Sequence, residues 1–347
     1  MGHPDIDNQT PYAFVPSFAM DEEGRPLLVA LLQATYTIVP RLPLELAEEQ
    51  EPPNLVGELW GDDAESSSYK IEPAFAFTKL ATDVVLVGHA QKPGVAVKQL
   101  MVGMAVGSRT KVLRVTGDRV WVSSTGVSDP VAFEKMPLQY ERAFGGRDPA
   151  FDTYEHRNPV GMGYRDPRNV FTKGVRVPNI EDPGHPVQRM GQGVPAGVGF
   201  LSPNWKPRAA YAGTYDEAWS KNRMPLLPRD FDRRFFSAAS PGLVIEGYVQ
   251  GGEAIVVEGA SQHGSIGFNL PGHPPPRCRA QLARRSDAEM ALKLDTLVID
   301  TDQDRVLLLY RGFTELDDGP HDVRAIELTI PAPEDKSTTG APRAWFC

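Results

Sequence analysis

LLVALLQATYTIV, Leu27 to Val39, is apolar almost without interruption and ends in β-branched residues. A strand wetted on one side alternates apolar and polar residues, so an unbroken run belongs to a strand covered on both faces. DVVLVGHA (Asp83 to Ala90) repeats the pattern. Around these two, KQLMVGMAVG and RTKVLRVTGDRVWV do alternate, as half-buried antiparallel strands would. Gly117-Asp118, between Val115 and Val120, reads as a tight turn, because glycine reaches positive φ without steric penalty.

The end of the chain carries the same signature. LVIEGYVQ, Gly251-Gly252 and EAIVVEG read as a hairpin, followed by GSIGFNL. LKLDTLVIDTDQDRVLLLYRGF predicts two strands about an aspartate-rich turn at Asp300, and VRAIELTI one more. HPPPRCRAQLARRSD reads as a basic connector, and EDKSTTGAPRAWFC as a frayed tail. Glycine and proline, 32 each, make up 64 of 347 residues, about 18% against a usual ~12%. That surplus has no collagen-like period and disfavours long helices. The expected fold class is mainly β: antiparallel sheets in a β-sandwich or open barrel, with a long Gly/Arg-rich ordered loop region and few short helices. We expect one domain over 12–315, β-rich over 12–136 and 242–315 and loop-rich over 137–241. An arm, 1–11, precedes it, and a last strand and tail, 316–347, follow.

Residues 45 to 65 hold eight carboxylates and no Lys or Arg, and Pro52-Pro53 breaks any helix there. The stretch is either a solvated connector or an acidic docking strip for a basic partner. The loop-rich zone has a different bias. Between Gln139 and Arg234 it carries 12 Arg and 3 Lys. A planar guanidinium ties several carbonyls and carboxylates together in a fixed fork, which an ammonium cannot do. Such a stretch folds through side-chain-to-backbone hydrogen bonds, and aromatics such as Phe144, Phe171, Phe200 and Phe235 give it something to pack. One short helix is expected over DEAWSKNR, entered through a capping box in which Thr214 and Glu217 satisfy each other's backbone N–H groups. It should stop before Pro225.

Composition restricts function. A net charge of -9 disfavours nucleic acid and anionic membrane as partners. No apolar stretch approaches the ~20 residues of a bilayer span, and the N-terminus lacks the n- and h-regions of a secretory signal. Two cysteines, Cys278 and Cys347, make neither a disulfide framework nor a zinc site. The cytoplasm is the expected compartment.

The catalytic motifs are missing. There is no phosphate-cradling GxxxxGK[ST]. Gly191, Gly193, Gly197 and Gly199 are not spaced as GxGxxG. His263-Gly264-Ser265-Ile266-Gly267 is not a nucleophile elbow, and the seven histidines are scattered without zinc spacing. We expect no cofactor, no metal and no catalytic residue. Asp216, Glu217, Asp230 and Asp232, close in sequence to Trp205, Tyr215 and Trp219, are the one arrangement suggesting otherwise. Paired carboxylates with aromatic walls are what a carbohydrate-active hydrolase, or a lectin, would use.

The ordered series YERAFGGRDPAFD (Tyr140 to Asp152), NPVGMGY (Asn158 to Tyr164), VPNIEDP (Val177 to Pro183), PAGVGFLSPNWKPRAAYAGTYDEAW (Pro195 to Trp219) and MPLLPRDFDRRFFSAASP (Met224 to Pro241) resembles the signature blocks of a bacterial domain family of unknown function, encoded beside type VI secretion spike genes. IVVEG…GFNLPG and LDTLVIDTDQDRVLLLYRG fit the same family, so the likeness spans residues 12 to 315. The resemblance implies a non-enzymatic adaptor or chaperone that holds a secreted toxin effector with a PAAR-like domain and helps load it on the VgrG spike. A cargo holder needs aromatic and arginine anchors on a rigid surface. The candidates are Trp205, Arg208, Tyr211, Tyr215 and Trp219, although core packing explains each aromatic as well.

Overall fold

Period two decides which side of the long apolar strand each residue serves. In a computed structural model describing residues 4–170 and 173–331, the strand runs Pro26–Thr37. Leu28, Ala30, Leu32 and Ala34 join one buried cluster, and Leu27, Val29 and Leu31 another on the opposite face. Phe171 and the tail from Glu334 to Cys347 lie outside the described residues.

The largest sheet has the strand order Val244–Glu246, Ala81–Val87, Lys293–Asp300, Arg305–Glu315, Pro26–Thr37, Ala13–Met20. Neighbours are antiparallel except Ala81–Val87 with Lys293–Asp300. A second sheet is ordered Ile180–Glu181, Arg109–Thr116, Gln99–Val106, Ala254–Glu258, Ile266–Asn269. A third is ordered Asp5–Asn8, Val323–Thr329, Arg277–Leu282, Ala288–Ala291. One core joins them: Val85 and Leu308 of the first sheet cluster with Val102, Leu113, Ile255 and Phe268 of the second and Ala280 and Leu328 of the third. The far face of the large sheet is covered by Ala74 and Phe77, with Phe236 and Phe313 packed against them. Both faces of Pro26–Thr37 and Ala81–Val87 are therefore dry, as their unbroken apolar runs require. The protein is mainly β, built from several sheets with no closed barrel, and the α-helices among the described residues are two short ones, Lys206–Ala209 and Glu217–Asn222.

Four local expectations are corrected. The Gly251-Gly252 hairpin does not form, because Val244–Glu246 pairs in the large sheet and Ala254–Glu258 in the second. The supposed basic connector contains Arg277–Leu282, whose Cys278, Ala280 and Leu282 face the core while the arginines face out. Its alternation was hidden by the Pro run before it. The N-terminal arm contributes Asp5–Asn8, paired parallel to Val323–Thr329. Gly117 is needed for space and not for φ: a Cβ there would lie 1.8 Å from the Val131 carbonyl oxygen. Val120 pairs not across a tight turn but with Arg176.

The acidic stretch is stitched along the large sheet. Gln50 accepts from the Thr35 N–H and donates to the Thr35 carbonyl, replacing a strand partner. Glu51 pairs with Arg305 and Glu58 with Lys70. Glu45, Glu48, Glu49, Asp62, Asp63 and Glu65 remain exposed. Cys278 is buried, and burial pushes its thiol up to about 12, so it stays a protonated core side chain.

Candidate functional site

The loop-rich segment is held by side chains doing the work of a backbone ladder. Asp148, fully buried, accepts hydrogen bonds from the Asp166 N–H (3.0 Å) and Asn169 Nδ2 (2.8 Å). Burial opposes its charge, but Asn169 and the backbone donors outweigh it and hold the carboxyl below its ordinary range. Asp166 is held lower still by Arg168, which grips both its oxygens. Asn158 donates to the carbonyls of Tyr140 and Phe144, and Asn179 to the carbonyl of Thr116 and to Asp118. Gly145 (φ +153°) lies so close to Asn158 that a Cβ would meet its carbonyl oxygen at 2.1 Å. The glycines of the first two blocks and Asn158 are thus one interlocked unit.

Arginines then bind the later blocks to one another and to the sheets. Arg208 donates to the Phe235 and Leu201 carbonyls and to Glu72. Arg223 donates to the Leu227 and Glu22 carbonyls and to both oxygens of Glu23, and Arg233 grips Glu22. Glu22 and Glu23 sit at the end of the Ala13–Met20 strand, so the lobe 211–235 rests on one end of the large sheet.

Beneath it lies a buried polar network absent from the sequence reading. Lys79 donates to Asp83 (2.6 Å) and to Thr296 Oγ1 (3.1 Å), and Thr296 donates to Asp295 (2.9 Å). Asp295 in turn receives Arg311, which also reaches the Ala74 and Ala76 carbonyls. Glu72 lies 3.9 Å from Lys79 and joins the network to Arg208. Burial raises the Glu72 carboxyl above its ordinary value against the pull of Arg208 and Lys79. Asp83 also accepts from the Ala238 N–H, pinning the end of the loop segment to the sheet centre. A β-bulge at Asp295, skipped between the pairs Leu294–Tyr310 and Thr296–Leu309, lets that carboxylate face Arg311. A signal existed: Asp295 and Arg311 each interrupt a run otherwise as apolar as a strand with two dry faces.

The five candidate anchors divide. Trp205 is 2% exposed and packs edge-on against Tyr140, with ring centroids 5.1 Å apart. Arg208 is buried in the network. Both are enclosed by the chain and can support a partner only from beneath, which corrects their assignment as contact residues. Tyr211, Tyr215 and Trp219 lie on the outer lobe. Arg234 covers the Tyr211 ring at 4.4 Å, and Tyr215 meets Trp219 edge-on at 4.7 Å. The Trp219 indole donates to the Leu226 carbonyl, which fixes the half-buried ring.

The carboxylate quartet is engaged locally. Asp216, not Thr214, caps the Glu217–Asn222 helix by accepting from the Trp219 N–H. The expected capping box does not form, because Asp230 draws both the N–H and hydroxyl of Thr214. Glu217 pairs with Lys221, and Asp232 with Arg234. Thr214 and Arg234 hold Asp230 and Asp232 below the ordinary carboxylate range. Among the described residues no group of His, Cys, Asp or Glu is arranged to hold a metal, and no helix is long and apolar enough to cross a membrane.

The model of one family, "Uncharacterized protein conserved in bacteria (DUF2169)", matches residues 23–311. The chain belongs to this family. The DUF2169 match takes in every signature block from Tyr140 to Pro241, the Lys79–Asp83–Asp295 network and the lobe. It leaves Asp5–Asn8 and Val323–Thr329 outside. No curated protein and no solved structure matches the chain.

Proposed function

We propose that this DUF2169 protein is a type VI secretion adaptor: a non-enzymatic, cytoplasmic chaperone that grips a toxin effector with a PAAR-like domain and presents it to the VgrG spike. The observation that carries the reading is where the signature blocks spend their side chains. Asp148, Asn158, Asp166, Asn179, Arg208 and Arg223 are consumed in fixing the loops, and the lobe beside them brings aromatics to the surface, Tyr215 exposed and Tyr211 and Trp219 half-buried. Fixed loops that present aromatics lose little entropy on binding, which favours a preformed protein-binding surface. The hydrolase or lectin alternative draws no such support. A glycosidase acid needs a carboxyl held protonated, whereas Asp230 and Asp232 are held ionised and Asp216 is a helix cap.

The test is co-expression of the full chain with the PAAR-like toxin encoded beside the spike gene. The expected result is a stable complex on size-exclusion chromatography, with no polysaccharide turnover by the chain alone. A toxin that never co-purifies would remove the adaptor reading, and turnover abolished by Asp230→Asn would replace it with the hydrolase.

A further inference from the structure

The last strand of the second sheet, Ile266–Asn269, has a free edge. The Leu270 N–H bonds the Glu253 carbonyl, and the register pairs Phe268 with Ile255. Antiparallel alternation therefore turns Phe268 and Ile266 toward Ala254–Glu258, and the backbone N–H and C=O groups of Gly267 and Asn269 outward. Natural edges are usually blunted by lysine, proline or a bulge; Ile-Gly-Phe-Asn has none of these.

Beside this edge runs a groove of about 930 Å3. Its apolar wall comes from Tyr12, Tyr36, Leu42, Leu44, Phe268 and Ile330, and Gly267 and Asn269 line it too. Tyr12 and Tyr36 are locked by a 3.0 Å hydroxyl–hydroxyl bond, and Tyr12 stacks on Tyr310, so the floor is rigid. The charge of the lining is one-sided. It includes Arg41 and His273 but no carboxylate, in a chain where acidic residues outnumber basic ones 45 to 36. Arg41 is exposed, sits at φ +67°, and has no hydrogen bond or ion pair among the described residues. A left-handed turn thus sets a cation with no partner among the described residues at the groove rim, free to meet an anionic group.

We propose that the groove receives an extended segment of the cargo protein, added as a further strand on Ile266–Asn269. Its main chain bonds Gly267 and Asn269, alternate apolar side chains enter the wall of Tyr36, Leu42 and Leu44, and an acidic side chain or terminal carboxylate meets Arg41. The proposal rests on the adaptor reading and gives it a second contact. Pro26–Thr37 separates the groove from the aromatic lobe by roughly 36 Å at about 3.3 Å per residue, so one cargo could be held at both ends of that strand.

The experiment uses the full chain with the co-expressed PAAR-like toxin as probe, reading amide exchange at Gly267 and Asn269 and retention of toxin by Arg41→Glu and Leu42→Asp. Both substitutions lie on exposed positions, and unchanged melting temperatures confirm that the variants fold. The expected result is slowed exchange at those two amides in the complex and at least a tenfold loss of toxin affinity in each variant. Toxin held equally well by the variants, with no change at the two amides, overturns the groove and leaves the adaptor reading standing. The same amides becoming protected in the chain alone at high concentration, with a dimer in ultracentrifugation, assigns the edge to a second copy and also overturns it. No toxin captured by the unaltered chain overturns both proposals.

Discussion

Arg311→Met is expected to lower the free energy of unfolding by about 3–5 kcal/mol, the range for removing one partner of a buried ion pair. Arg311 and Asp295 are each 2% exposed at the side chain. Removing the guanidinium strands the Asp295 carboxylate in a site where only Thr296 still donates to it. The Ala74 and Ala76 carbonyls lose their donor at the same time, at about 1–3 kcal/mol for each acceptor left unpaired. The double variant Asp295→Leu with Arg311→Met removes the stranded charge and should recover part of the loss. It should not regain full stability, since the two carbonyls stay unsatisfied. Urea denaturation of the parent and the two variants measures this, and a single variant within 1 kcal/mol of the parent would show that the network is open to water.

The second large effect separates core from surface within one sequence block. Trp205→Ala should cost about 3–5 kcal/mol of stability, as large-to-small substitutions of buried aromatics do. The indole fills the space beside Tyr140, whose hydroxyl is fixed to Ser240 at 2.6 Å. Trp219→Ala leaves the core intact. It should cost at most about 1 kcal/mol in folding, chiefly the bond to the Leu226 carbonyl, but about 2 kcal/mol or more in binding the proposed PAAR-like partner if the lobe is the contact. Calorimetric melting and titration of the co-expressed toxin read the two quantities. Equal effects of the two substitutions on both readouts would show that the lobe is not the binding surface.

The sheets were legible where burial leaves a period. Leu27 to Val39 announces two dry faces, Gln99 to Thr116 half-buried antiparallel strands, and the Asp300 turn a strand on either side of it, because each pattern is a local consequence of which side meets the core. What failed was non-local. Gly251-Gly252 looked like a hairpin because two strands and a turn were adjacent, yet neighbours in sequence can feed different sheets, and no local feature records that. Asp5–Asn8 is a strand only because Val323–Thr329 lies beside it. Gly117 is demanded by crowding from Val131, which no local pattern records.

The candidate site was legible in kind more than in detail. The arginine bias of the middle segment did forecast guanidinium forks on carbonyls, and Arg208 and Arg223 make them. It could not say which aromatics the forks would enclose, so Trp205 and Trp219 looked alike. The sequence marks the helix at Glu217, but its cap is Asp216 because Asp230, distant in sequence, takes Thr214. The groove at Arg41 gave no sequence signal, since its wall is assembled from all three sheets' margins and the arm between them.

Hydrogen exchange of the isolated chain, resolved by residue, tests the claim that the loop-rich segment is rigid before any partner arrives. The N–H groups of Gly146, Asp166, Asn179 and Val187, bonded to Asn158, Asp148, Arg142 and Glu181, should exchange as slowly as those of the Gln99–Val106 and Arg109–Thr116 hairpin. Complete exchange of these four within seconds, while the hairpin stays protected, would contradict a preformed grip.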